Sequence, residues 1–225
     1  MKIFILPGLD GTGLLLSELE NLLSKENTVS VIRYPSNLYR YDDLQIWVKN
    51  TLPDDDFVIV AESFSGPLAI VLASQKPKGL RGIVFVATFA RSPVPVPLCF
   101  AHIVKIAPIR SKFLFWLVQP LFLGKWSGEA FAKSFRRALN RIPSATIAGR
   151  LREVLMVDTR EQLRKLSLPM IYLRATEDRL VPSKMSADFD LAPEAIFTIE
   201  GPHFLLQSRA EQAAECILKF TASLK

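Results

Sequence analysis

Six short apolar runs punctuate the chain, at residues 2–6, 29–33, 57–61, 82–87, 169–174 and 195–199. They lack the strict alternation of a half-exposed strand; Phe57-Val-Ile-Val-Ala61 is apolar throughout. That is how a strand reads when both faces of its sheet are covered. Between the runs, apolar residues recur at helical spacing. Leu14-Leu15-Leu16, Leu19 and Leu22-Leu23 form one stripe, and Leu44, Trp47 and Val48 form another. A last helix near 205–223 places Ala213, Ile217 and Phe220 on one side. Strands alternating with helices predict right-handed crossovers and an α/β fold: a mostly parallel sheet of about six strands with helices on both faces.

The rhythm breaks once. Between the runs ending near Ala87 and beginning at Pro169, about eighty residues carry no clear strand. Pro93, Pro95 and Pro97 open this segment, and Phe113, Phe115, Trp116, Phe122, Trp126 and Phe131 follow. Helical patterns are expected at 111–119, 128–140 and 144–157. The chain therefore divides into a core of residues 1–90 and 169–225 and an inserted helical cap at 91–168. An aromatic-rich excursion of this length suits a lid over a pocket, since pockets are lined by such side chains. The alternative is a helical subdomain that only plugs the core.

The chemistry concentrates where apolar runs end. Phe57–Glu62 leads into Ser63, with Ala61 and Ser65 on either side at a spacing of two, and Leu68–Ala73 then reads as helix. A serine between small residues at a strand-to-helix turn is the pattern of a nucleophile elbow, usually written G-x-S-x-G. A later strand ends at Glu177-Asp178, followed by Val181-Pro182, and the final strand runs through Gly201-Pro202 into His203. Serine, acid and histidine in that order can form a relay in which the imidazole activates the hydroxyl. The chain has two histidines, so one falling by chance just after the last strand is improbable. The first strand runs into Gly8-Leu-Asp-Gly11-Thr-Gly13, where backbone N–H groups can turn toward a ligand as an oxyanion hole requires. These glycines do not follow G-x-G-x-x-G, and no Gly-Lys-Ser/Thr follows, which disfavours a nucleotide loop.

Over essentially its whole length the chain resembles the α/β-hydrolase fold superfamily. The opening Leu6-Pro-Gly-Leu-Asp-Gly-Thr-Gly13 is similar to the variant His-Gly segment of some small ester hydrolases, thioesterases and acyltransferases in that group. The resemblance implies Ser63 as nucleophile, His203 as general base and Asp178 as the acid that orients it. It also implies the backbone N–H groups of Leu9 and Phe64 as oxyanion donors, and no cofactor or metal. Pro7 replaces the common histidine before Gly8, and Ala61 and Ser65 replace the elbow glycines. The fold as usually drawn has two further strands before the first one here. Rival residues are Glu177 for the acid, Ser65 for the nucleophile, His102 as a rim or structural residue, and Asp10 as a loop brace. Glu62 either tunes the site or faces the sheet edge.

Size and composition narrow the class. With 225 residues and 49% hydrophobic residues, the chain suits one domain with a full core rather than a disordered or fibrous protein. Cys99 and Cys216 are too few for a disulfide framework and lack metal spacing, so both are expected as buried free thiols. Ile3–Leu6 is too short for a signal-peptide core, and no apolar stretch approaches a membrane span, so a soluble, cytoplasmic protein is expected. Charge is uneven: residues 91–168 hold fourteen Lys/Arg against four Asp/Glu, a net of +10 within an overall +6. A basic cap suits an anionic partner such as an acyl carrier, a membrane surface or a carboxylate, or is simply a solvated helical face. No nucleic-acid motif accompanies it. The expected activity is hydrolysis of carboxylic esters, with apolar acyl groups preferred. Thioester hydrolysis or acyl transfer on a carrier is the alternative, lyase or haloperoxidase chemistry a further one, and a non-catalytic binding protein the reading from another class.

Overall fold

The computed structural model describes residues 1–97, Cys99, Lys125 and residues 128–224. Its centre is a six-stranded sheet, β1 (Lys2–Leu6), β2 (Thr28–Val31), β3 (Phe57–Glu62), β4 (Leu80–Val86), β5 (Met170–Ala175) and β6 (Ile196–Ile199). The strand order is β2-β1-β3-β4-β5-β6, and every pairing is parallel. Each expected strand is present within two residues of its sequence bounds. β2 and β6 form the two edges, and β3 and β4 lie at the middle with continuous apolar runs, as burial on both faces demands.

Alternate residues of the strands feed two separate cores. Ile3, Ile5, Val58, Val60, Val84 and Val86 face one side, where Leu19 and Leu23 of α1 (Ser17–Leu23) and Ala213, Ile217 and Phe220 of a C-terminal helix cover them. Phe4, Leu6, Phe57, Ile59 and Phe85 face the other, beneath Leu44 and Val48 of α2 (Tyr41–Lys49) and Leu68 and Leu72 of α3 (Ser65–Ser74). Helix α3 follows β3 directly and is buried almost all round, which its uniformly apolar sequence allows.

Of residues 91–168, expected as a cap, the expected helix at 111–119, His102 and the aromatics Phe113, Phe115, Trp116, Phe122 and Trp126 lie outside the described residues. The described part forms α4 (Glu129–Asn140), α5 (Ser144–Met156) and α6 (Arg160–Arg164). Helices α5 and α6 each contribute to the α3 side of the core: Val154 and Leu163 belong to the cluster that contains Phe57 and Phe85, and α6 packs against α3. An isolated antiparallel bridge between Arg91 and Asp158 ties the start of the segment to its end.

Two details differ from the sequence reading. The C-terminal helix is two pieces, α7 (Leu205–Ser208) and α8 (Ala210–Ser223), broken at Arg209, where φ is −137° and ψ 42°. The Arg209 Nε–H donates to the Glu200 carbonyl at 2.8 Å, tying the break to the end of β6. Both cysteines are free, but Cys99 is exposed and Cys216 half-buried. Residue 216 sits beside, rather than on, the Ala213–Ile217–Phe220 face. Among the described residues no helix is long and apolar enough to cross a membrane.

Candidate active site

Four loops at the carboxyl ends of strands build the site, the usual location in open parallel sheets. They follow β1 (Gly8), β3 (Ser63), β5 (Asp178) and β6 (His203). Residues distant in sequence meet there because the parallel sheet gathers all these ends on one side.

Ser63 has φ of 50°, a left-handed backbone that costs a non-glycine residue about 1–3 kcal/mol and persists only where neighbours enforce it. They do so on both sides. The Ser63 N–H donates to the Val86 carbonyl at 2.9 Å, and the Ser63 carbonyl accepts from the Gly66 N–H at 3.0 Å and from the Thr88 hydroxyl. Thr88 is fixed in turn by Tyr172, whose hydroxyl donates to its carbonyl at 2.6 Å. Gly66 explains the displaced glycine of the elbow. A Cβ there would lie 2.0 Å from Thr88 Oγ1, so the helix can approach Thr88 only without a side chain at that position. Ser65, standing at the usual glycine position, is fully buried, donates to the Pro7 carbonyl, and lies 2.6 Å from the Tyr34 hydroxyl. It is a bolt between elbow and β1 loop, and it is Ser63, not Ser65, whose hydroxyl meets the histidine.

Ser63 Oγ lies 2.8 Å from His203 Nε2, and His203 Nδ1 lies 2.8 Å from Asp178 Oδ2. The carboxylate accepts the Nδ1 proton, which leaves the Nε2 lone pair facing the serine hydroxyl. Asp178 Oδ1 accepts from the Leu180 and Val181 N–H groups at 2.9 and 2.8 Å, so one oxygen anchors the loop and the other orients the imidazole. Glu177 instead points outward to Lys125, 2.8 Å away, which also reaches Glu200 at 3.2 Å. His203 is 6% exposed. Burial opposes its cationic form, but the charge and hydrogen bond of Asp178, with the charge of Glu62, outweigh this and raise its pKa above the ordinary 6.5.

Glu62 lies at the junction of three of the four loops. It accepts from the Gly8 N–H at 3.2 Å and from Gln207 Nε2, on α7, at 2.9 Å. It is 4% exposed, and burial pushes its pKa up to about 7 against these hydrogen bonds and the charge of His203. The sequence left open whether Glu62 tunes the site or faces the sheet edge; it is enclosed beside the imidazole. Asp10 bonds the Thr12 N–H at 2.9 Å and the Thr12 hydroxyl, as a loop brace does, and burial raises its pKa.

The backbone N–H groups of Leu9 and Phe64 have no acceptor among the described residues. The Phe64 ring is stacked on Tyr41 with centroids 4.7 Å apart, and the Tyr41 hydroxyl donates to the Phe64 carbonyl at 2.8 Å. On the histidine side, Phe204 meets Phe131 and Phe135 of α4 edge-on, at 5.3 and 5.2 Å between centroids. One aromatic of the inserted segment named from the sequence, Phe131, thus lies next to the His203 loop. Among the described residues no group of three His, Cys, Asp or Glu side chains is placed to hold a metal ion.

Sequence reasoning missed Arg150, a fully buried residue of α5 whose guanidinium reaches the β1 loop. One signal was available: Arg150 occupies the same helical row as Ile147 and Val154, both core residues. An arginine on a buried stripe needs partners that the stripe itself cannot supply.

The chain has the α/β-hydrolase fold. Over 98% of its length it superposes on 91% of a bromoperoxidase from Bacillus anthracis, with a TM-score of 0.82 and 16% identity. An enol-lactonase from Burkholderia xenovorans gives 0.83 at 14% identity, with 98% and 91% of the two chains covered. A thermophilic esterase from Thermogutta terrifontis gives 0.80 at 17% identity, covering 100% and 90%. No protein-family model and no curated protein sequence matches the chain.

Proposed function

We propose that this protein is a cofactor-independent serine hydrolase that cleaves carboxylic esters, with a preference for apolar acyl groups. The observation that carries the reading is the unbroken line from Ser63 Oγ through His203 to Asp178, two contacts of 2.8 Å, at a serine held at φ 50°. In the reaction His203 Nε2 takes the hydroxyl proton as Ser63 Oγ attacks the acyl carbonyl. The negative charge on the carbonyl oxygen is received by the Leu9 and Phe64 N–H groups, each such donor contributing about 3 kcal/mol. His203 then returns its proton to the leaving alcohol, and an acyl ester of Ser63 remains. Water, deprotonated by the same imidazole, resolves it. The solved structures named for lactone and ester cleavage support ester hydrolysis, and the Phe131–Phe135–Phe204 cluster beside His203 supports an apolar acyl site.

A panel of p-nitrophenyl esters of increasing acyl length tests this, with Ser63→Ala as control. Turnover that rises with chain length and vanishes in the variant is expected; equal rates in variant and wild type would remove Ser63 from the chemistry. A second reading, thioester hydrolysis or acyl transfer on an anionic carrier, is favoured by the basic segment, where Arg137 and Arg141 are exposed at the end of α4. It requires acyl-thioesters to outpace oxygen esters and that advantage to be lost in Arg137→Glu/Arg141→Glu.

A further inference from the structure

Arg150 makes five hydrogen bonds, and all end on main-chain carbonyls. Nη1 donates to Leu9 at 3.0 Å and Asp10 at 2.8 Å, Nη2 to Pro35 at 3.2 Å and Leu38 at 2.9 Å, and Nε to Leu38 at 3.2 Å. A cation with no exposed surface is costly even when every donor is used, and apolar side chains would fill a purely structural position at lower cost. What the guanidinium grips is therefore informative. In the β1 loop, every one of four consecutive peptide groups is held by at least one hydrogen bond. The Gly8 N–H is held by Glu62, the Gly8 carbonyl by the Gly11 N–H at 3.0 Å, and the next two carbonyls, of Leu9 and Asp10, by Arg150. The Leu9 N–H sits inside this series and has no acceptor among the described residues.

Two further observations converge on the same place. At Gly11, where φ is +68°, a Cβ would come within 2.3 Å of Arg150 Nη1; the loop closes on the guanidinium only because this residue lacks a side chain. The guanidinium carbon also lies 5.5 Å from the Tyr34 ring centroid and 6.0 Å from that of Phe64. One side chain of α5 thus bonds the Leu9 carbonyl and lies over the Phe64 ring, at the two residues expected as oxyanion donors.

We propose that Arg150 is a positioning residue for the oxyanion site: by holding the Leu9 and Asp10 carbonyls it fixes the two peptide groups that follow the Leu9 N–H, so that this N–H meets the charge that develops on the substrate carbonyl. The inference rests on the serine-hydrolase reading above. It extends that reading by giving a helix of the inserted segment a direct hold on transition-state stabilisation. Removing one oxyanion donor outright slows such reactions about 10²- to 10³-fold; a donor left in place but unsupported costs less, about ten- to a hundredfold.

The test compares wild type, Arg150→Met and Arg150→Lys for kcat, KM, inhibition by an acyl trifluoromethyl ketone, and the acid limb of the kcat/KM profile. A fluorophosphonate labels the wild-type serine in parallel. Expected in Arg150→Met are a kcat lowered at least about tenfold with KM nearly unchanged, and ketone affinity lowered by a similar factor. The acid limb should stay in place, because the Ser63–His203–Asp178 contacts do not include Arg150. Arg150→Lys should recover part of the loss. A folded Arg150→Met with wild-type kcat and ketone affinity overturns the proposal, as does a loss confined to KM. Failure of both variants to fold assigns Arg150 to the scaffold and also overturns it. No labelling and no turnover in the wild type would sink the hydrolase reading itself, a result distinct from any of these.

Discussion

Replacing Glu62 by glutamine removes one titratable group from the junction of the β1 loop, the elbow and α7. Burial carries this carboxyl from its ordinary 4.5 to about 7, which corresponds to about 3 kcal/mol in favour of the protonated form inside the fold. The direction of the stability change follows. Below pH 4.5 the carboxyl is neutral in both states and the native form keeps this advantage. As pH rises toward 7 the unfolded chain ionises while the native one holds its proton, and stability falls until the native group also ionises. His203 acts in the same sense: its raised pKa favours the fold below 6.5, and the gain is lost as pH rises through the native value. Glutamine has no such slope. It forfeits one of the two hydrogen bonds, because its amide nitrogen cannot accept from the Gly8 N–H or from Gln207 Nε2, but that loss is independent of pH. Urea unfolding of both proteins followed by tryptophan fluorescence isolates the effect. From about pH 5 to about pH 8 the stability of Glu62→Gln should gain about 2–3 kcal/mol on that of the wild type. A gap constant across this range would refute the account of Glu62 as a buried carboxyl that ionises near neutrality.

Two other consequences are open to direct measurement. The acid limb of kcat/KM should have its midpoint above 6.5, the ordinary histidine value, and Glu62→Gln should move it to lower pH, because the substitution removes one of the charges that favour imidazolium; a pH–rate profile of the two proteins decides this. Gly66→Ala forces a Cβ to within 2.0 Å of Thr88 Oγ1, and thermal unfolding should register a loss of about 1–3 kcal/mol or more, with ester turnover reduced as the Ser63 carbonyl loses its Thr88 hydrogen bond.

The parts of the molecule legible in the sequence are those whose chemistry sits in one residue at the end of one strand. Ser63, Asp178 and His203 each follow an apolar run, and a parallel sheet must bring such ends to one side, so their meeting follows from topology. The inner strands were legible because burial on both faces leaves long apolar runs; the edge strands β2 and β6 are only half-buried, and their runs are interrupted by Ser30 and Thr198. The supports were not. Arg150, Thr88 and Tyr41 bond to carbonyls, which every residue carries, so no residue type marks the partner in advance. The displaced elbow glycine looked like a weakened motif, yet Gly66 has a packing reason of its own in Thr88, and Ser65 has one in Pro7 and Tyr34. The break of the last helix was hidden because Arg209 is a good helix former; its side chain is drawn to the Glu200 carbonyl.

The central claim is that Ser63 is a nucleophile activated by His203. Intact-mass and peptide mass spectrometry of the native protein treated with a fluorophosphonate measures this without any knowledge of the natural substrate. A single adduct on the peptide containing Ser63, absent in Ser63→Ala and strongly slowed in His203→Ala, is the expected result. An unmodified wild type, or an adduct that persists in Ser63→Ala, would contradict it.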